Sequence, residues 1–168
     1  ALPIYLKEEI ENLTGAMPDL SQEKNQNKKS SKNKLVALYH THNGECYAPG
    51  KSSVPGKGDI HDIGSSLAQA LEKKGIKALH SEESHLPHDG AAYTRSRRTA
   101  LNLSKKNPDL IFDIHRDGIP DANEYIENIN GKKISQIRLV VGRQNPNKKV
   151  NEELAKHLKA ISEKYSPG

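Results

Sequence analysis

Leu35-Val36-Ala37-Leu38-Tyr39, running directly into His40-Thr41-His42-Asn43-Gly44-Glu45, is the stretch that decides the fold. Five consecutive residues without apolar/polar alternation, closed by a polar cluster, read as a strand buried on both faces, as in parallel sheets. Downstream, residues 43–58 are rich in Gly, Pro and Ser and read as a long loop. Asp59–Lys74 follows as an amphipathic helix, with Ile60, Ile63, Leu67, Ala68 and Leu71 on one face, Asp59 placed to cap its start and Gly75 its end. Ile76–His80 reads as a second strand, residues 81–90 as a polar loop and Ala91–Lys106 as an Arg-rich helix. Leu110–His115 is a third strand. Glu124–Ile129 and Lys133–Val141 flank Asn130-Gly131, a strong hairpin turn signal. A last helix, Lys148–Lys164, sets Val150, Leu154, Leu158 and Ile161 on one face. Strand and helix alternate, which predicts an α/β fold: a mostly parallel sheet flanked by helices, with an inserted β-hairpin.

Upstream of Leu35 the pattern dissolves. Residues 21–34 lack periodicity and read as a flexible tether. Residues 1–20 carry one apolar patch (Ile4, Leu6, Ile10, Leu13), a helix or the end of a preceding segment. The chain therefore divides into a basic linker, 1–34, and an ordered domain, 35–168. Its 168 residues suit one domain with an appendage. A hydrophobic share of 33% is low enough to expect part of the chain to be unfolded. The single cysteine, Cys46, excludes an internal disulfide framework and a cysteine-rich zinc knuckle. No apolar run approaches the ~20 residues needed to span a bilayer, so no membrane contact is expected from this chain itself. A start at Ala1 rather than Met is consistent with a removed signal or anchor.

The net charge of +5 raises the question of nucleic acid. Its distribution answers it. Lys24, Lys28, Lys29, Lys32 and Lys34 crowd the tether, the remaining charge is spread thinly, and no helix carries a basic stripe. The absence of Trp and a single Phe also argue against base-stacking platforms.

In open α/β sheets, functional groups gather beyond the carboxyl ends of the strands. Two strands here end in histidine-bearing clusters, His40-Thr41-His42-Asn43-Gly44-Glu45 and Asp113-Ile114-His115-Arg116-Asp117. Two imidazoles and a carboxylate, with a position left open for water, match the zinc sites of hydrolases. His42, Glu45 and His115 are the preferred metal ligands, because only His42 stands three residues from Glu45; His40 is the second choice, since it shares a face with His42 if the strand continues. Asp113 or Asp117 would orient an imidazole from behind. The plain alternative is that these are ordinary polar strand ends. His88, Arg97 and Arg116 are the candidate substrate-binding residues. His85 and His88 either line the crevice or lie in a solvated loop, and the arginines of the second helix either grip a carboxylate or serve structural ion pairs. His61 and His157 read as helix-surface residues, and Cys46 as a passive neighbour of Glu45.

Longer motifs narrow this further. LVALYHTHNGECY (35–47), AAYTRSRRTALNL (91–103), IFDIHRDG (111–118) and IRLVVGRQNPN (137–147) resemble the stage II sporulation protein P family of endospore-forming bacteria, over residues 35–168. The resemblance implies an amidase-like fold, similar to zinc carboxypeptidases in its HxxE arrangement, holding one Zn2+. It implies a zinc-dependent N-acetylmuramoyl-L-alanine amidase that hydrolyses peptidoglycan and also cleaves peptide cross-links, in septal wall thinning and engulfment. The expected partner is a lytic transglycosylase of the stage II sporulation protein D type. The expected location is extracytoplasmic, membrane-anchored at the sporulation septum. The family's general-base Glu is expected on a C-terminal strand beyond residue 168, with Glu124 or Glu127 as less favoured substitutes. The rival reading is a non-catalytic peptidoglycan-binding or scaffold domain.

Overall fold

The computed structural model describes residues 4–6, 34–47, 50–116, 126–129, 131–143 and 145–165. The strand Leu35–Tyr39, here β2, lies at the centre of its sheet. β1 is Ile4–Leu6, α1 Ile60–Lys73, β3 Lys77–His80, α2 Ala92–Ser104 and β4 Leu110–Asp113. The sheet runs β1-β4-β2-β3, with β2 parallel to both β3 and β4, and β1 antiparallel on the β4 edge. The fold is α/β, with three parallel strands as its centre. Residues 1–20 were open to a helix; Ile4–Leu6 is instead a strand, whose backbone groups pair with Leu110–Phe112.

Successive residues of β2 serve opposite faces, as pleating requires. Val36 and Leu38 pack with Ile60 and Ile114, joined by Ala68 and Leu71 of α1. Ala37 and Tyr39 pack with Ile111, joined by Ala100 and Leu103 of α2. A run with no polar alternation therefore makes physical sense, because each face has its own helix to cover it. Fully burying a side chain such as Leu38, which is wholly inaccessible, contributes roughly 1.5–3 kcal/mol.

α1 departs from the expected face in two details. Ile60, Ala68 and Leu71 do enter the core, but Ile63 and Leu67 lie at the edge of the stripe and stay exposed. Asp59 occupies the N-cap position without capping; its carboxylate accepts the Tyr47 backbone N–H at 3.1 Å and so pins the preceding loop. Gly75 ends the segment with φ +78°, the left-handed conformation expected of it.

The hairpin forms as β5 (Ile126–Ile129) and β6 (Lys132–Ser135), turning through Gly131 at φ +78°. It makes a separate two-stranded sheet. α3 (Lys148–Tyr165) packs near β1.

Candidate metal centre

The carboxyl ends of β2, β3 and β4 converge on one rim of the sheet, and every histidine of interest lies there or on the helices beside it. β2 ends at Tyr39 and the chain then bends, so strand alternation does not extend through His42. His40 and His42 consequently part company. His40 is fully buried, its Nδ1–H donating to the Ile114 carbonyl at 3.1 Å. His42 turns the other way, into the crevice.

His42, Glu45 and His115 each offer a ligand atom, all within 4.8 Å of one another. The two imidazole rings stand 5.1 Å apart, edge to face. His40 is not among them, so the second choice for the histidine ligand is not supported by the geometry; the bend after Tyr39 is the reason. His42 Nδ1 and His115 Nε2 are both buried with no hydrogen-bond partner. A buried ring nitrogen without a partner carries a desolvation cost, and His42 Nδ1, in that state near a second imidazole and a carboxylate, belongs to a donor set that a metal ion would satisfy. The residues present therefore fit a metal ion held by three protein ligands.

Glu45 is held from several sides. The loop around it is fastened by Val54 N–H to the Gly44 carbonyl at 2.8 Å, Cys46 N–H to the Ser52 carbonyl at 3.0 Å and Ile60 N–H to Glu45's own carbonyl at 3.1 Å. Its Oε2 accepts the Arg116 backbone N–H at 2.5 Å and lies 3.9 Å from His115 Nδ1. Cys46 is buried beside it, its thiol directed to the Gly44 carbonyl.

Behind the crevice, Asp113 is fully buried. It accepts the Thr41 backbone N–H at 2.8 Å and the Thr41 hydroxyl at 2.5 Å, and that hydroxyl also sits 2.8 Å from Ser96 Oγ of α2. Asp113 Oδ2 comes within 2.9 Å of His115 Nε2, but off the line a hydrogen bond requires, so the contact is electrostatic. Asp117, the other candidate for this role, lies outside the described residues.

Charge follows from these neighbours. Burial would lower the pKa of His115, but the Asp113 and Glu45 carboxylates outweigh it and hold the imidazolium up to about 9. His42 shifts the opposite way, lowered first by burial and then by repulsion from His88 and His115. Without metal the site thus holds one protonated and one neutral imidazole.

The crevice walls include residues the sequence had and had not marked. His88, exposed, stacks on His42 at 4.2 Å and 12°. It also lines a groove with Ser53, Val54, Pro55, Leu86 and Pro87. Tyr93, from the first turn of α2, stands 5.2 Å from the His42 ring and 5.9 Å from His115. Sequence reasoning missed Tyr93, although its position inside the AAYTRSRR motif was the available signal. Arg97 is exposed one helical turn beyond Tyr93, on the same side of α2. Arg116 directs Nη2 to the Ser52 carbonyl at 3.2 Å, tying the loop to the end of β4. Arg95 is the structural arginine: it bonds the His85 and Pro87 carbonyls and Asp89. Glu127 faces Gln136 across the hairpin at 2.9 Å, and Glu124 lies outside the described residues.

His85, for which a solvated loop was one of two readings, and His61, read as a helix-surface residue, are both interior. His85 is buried, its Nδ1–H donating to the His40 carbonyl at 2.7 Å while Nε2 meets the Thr99 hydroxyl at 2.8 Å. His61 is 1% exposed, packed against His40 with ring centres 4.5 Å apart.

The family model for stage II sporulation protein P (SpoIIP) matches residues 6–168. The chain belongs to this family. It is 32% identical over 151 residues to stage II sporulation protein P of Bacillus subtilis (strain 168), an alignment covering 80% of this chain and 37% of that protein. The chain thus spans little more than a third of the length of the curated relative it matches. No solved structure matches it. Membership places the chain among sporulation proteins and adds nothing by itself about which side chains act.

Proposed function

We propose that this chain is the catalytic part of a zinc-dependent peptidoglycan hydrolase, an N-acetylmuramoyl-L-alanine amidase with an amidase/zinc-carboxypeptidase-like fold, acting in septal wall thinning and engulfment during sporulation. One observation carries the reading: His42, Glu45 and His115 bring ligand atoms within 4.8 Å of one another, and His42 Nδ1 is buried without a partner. His42, Glu45 and His115 would hold the ion, which when bound supplies Lewis acidity at the scissile carbonyl and a water of lowered pKa.

The protein's own residues do the rest. Asp113, anchored by Thr41, places negative charge beside His115 and favours its positive form in the metal-free protein. Arg116 holds the Glu45 carboxylate through its backbone N–H. His88 and Tyr93 form aromatic walls against which a glycan or stem peptide can lie, and exposed Arg97 is placed to grip a stem-peptide carboxylate. In this reading residues 35–168 are the catalytic unit, whose sheet Ile4–Leu6 extends at the β4 edge. No described helix is long and apolar enough to cross a membrane. Anchoring at the septum, an extracytoplasmic site of action and pairing with a lytic transglycosylase of the stage II sporulation protein D type belong to the same proposal.

The test is zinc content together with muropeptide release by the full-length protein and by its His42→Ala and His115→Ala forms. Each substitution is expected to remove one equivalent of zinc and to abolish release. Retention of the wild-type zinc content by both variants overturns the ligand assignment. Zinc loss from a protein that binds sacculi but never cleaves them favours the wall-binding scaffold instead.

A further inference from the structure

A second histidine cluster lies beside the crevice, and the proposed hydrolysis does not use it. His40 follows β2, His61 belongs to the first turn of α1 and His80 ends β3, so three separate elements contribute one imidazole each. Their ligand atoms lie within 4.8 Å of one another. His40 Nε2 and His80 Nε2 are 2.7 Å apart.

The outer nitrogens of two of these rings are already held. His40 Nδ1–H donates to the Ile114 carbonyl, and His80 Nδ1 lies 3.4 Å from Ser65 Oγ. That is how ligating imidazoles are oriented, with one nitrogen tied to an oxygen and the other presented inward. His61 Nδ1 is buried with no partner, and its Nε2 has only a long 3.4 Å contact to the Asn43 amide nitrogen. Two Nε2 atoms facing each other can share one proton, which leaves His61 outside the arrangement. An ion at the meeting point would use all three.

Gly64 is an independent sign. It sits within α1, where glycine is unfavourable by roughly 0.5–1 kcal/mol relative to alanine. A Cβ there would lie 2.5 Å from His80 Nε2 and 2.7 Å from His40 Nε2. The helix gives up a side chain at the place where the imidazoles meet.

We propose that His40, His61 and His80 form a second metal site, distinct from the His42–Glu45–His115 centre. Three neutral nitrogen donors, with no carboxylate hydrogen-bonded to them among the described residues, suit an imidazole-preferring divalent transition ion and reject magnesium or calcium. Zinc is the ion assigned. Its role is structural: it ties β2, β3 and α1 together directly behind the segment that carries His42.

The experiment is a zinc titration of the full-length metal-free protein, read by native mass spectrometry and elemental analysis, with circular dichroism to confirm folding. Wild type should take two equivalents. His80→Gln, at a half-buried position that tolerates an amide, and Gly64→Ala, which raises helix propensity while filling the meeting point, should each take one. His115→Ala should also take one, and the His80→Gln/His115→Ala double variant none. A wild-type protein that saturates at one equivalent, lost in His115→Ala but kept in His80→Gln, overturns the second site and leaves the hydrolase reading intact. Two equivalents retained by folded His80→Gln overturn it as well.

Discussion

Gly58→Ala places a methyl group where backbone already runs. Gly58 donates its N–H to the Asn43 carbonyl at 2.7 Å, which draws the loop back against the segment bearing Glu45. A Cβ on residue 58 would stand 2.2 Å from the Glu45 carbonyl oxygen and 2.6 Å from the Gly44 carbonyl carbon, both main-chain atoms that no rotamer change can move. The overlap is about 1 Å relative to ordinary contact, so either the 43–46 segment or residue 58 must shift by a comparable amount. Overpacking of this kind costs about 1–3 kcal/mol, and at about 2–4 °C per kcal/mol for a chain of this size Tm should fall by about 2–12 °C. The same shift carries the Glu45 carboxylate away from the Arg116 N–H and from His115. Loss of such support for a ligand typically weakens metal binding 10–100-fold. Gly90→Ala is the control, because a Cβ there meets nothing within 4 Å and needs no unusual φ; it should stay within about 0.5 kcal/mol of wild type. The assays are urea denaturation and zinc titration. If Gly58→Ala matches Gly90→Ala in both, backbone contact at residue 58 does not position Glu45 and the reasoning is wrong.

Four further outcomes follow from the same geometry. Thr41→Val removes the hydroxyl that donates to buried Asp113 at 2.5 Å; a hydrogen bond to a charged partner contributes about 1.5–3 kcal/mol, a loss that denaturant midpoints should register. His40, lowered to about 4 chiefly by burial, resists protonation when folded, so its contribution is complete above the unfolded value of about 6.5 and is lost as pH falls through about 4; about 3 kcal/mol of metal-free stability should disappear over that window, measurable by urea titration at stepped pH. His115, raised to about 9, must shed its proton to accept zinc, so calorimetry in buffers of different ionisation enthalpy should detect proton release, and zinc affinity should climb about tenfold per pH unit between 7 and 9. Tyr93→Ala should leave zinc content unchanged while raising KM for muropeptide release, since the ring stands beside the site's imidazoles but is not one of the three residues assigned to the ion.

The architecture was legible where local pattern and tertiary surroundings agree. Leu35–Tyr39 could be read to the residue because a strand covered on both faces leaves no polar position to blur it. The hairpin turn was legible from Gly131, whose left-handed backbone only a few residue types tolerate. The interior histidines were not. His61 sits between Ile60, which enters the core, and Asp62, which faces solvent, and its burial depends on His40 arriving from a strand end twenty-one residues earlier. His85 is buried by the His40 carbonyl and the Thr99 hydroxyl, partners distant in sequence. A polar side chain's burial is decided by whoever satisfies its hydrogen bonds, and periodicity carries no record of that.

The separation of His40 from His42 shows how one local choice builds the site. Had β2 continued, pleating would have put both imidazoles on one face, competing for the same ligand role. The strand stops at Tyr39, however, and two buried bonds hold the bend in place: the Thr41 N–H reaches Asp113 Oδ1, and the His40 carbonyl accepts from His85. Asp113 thereby does two jobs. It fixes the turn that sends His42 into the crevice, and it places negative charge 2.9 Å from the ring of His115. Asp113→Asn separates the two. The amide can still accept one bond from Thr41, so the bend should largely survive, but the charge that holds His115 protonated is gone. The pKa of His115 in the metal-free protein, followed by its imidazole proton resonances, should then fall well below 9 while the fold persists. An unchanged His115 titration in a folded Asp113→Asn protein would mean that Glu45 alone sets the charge of the site.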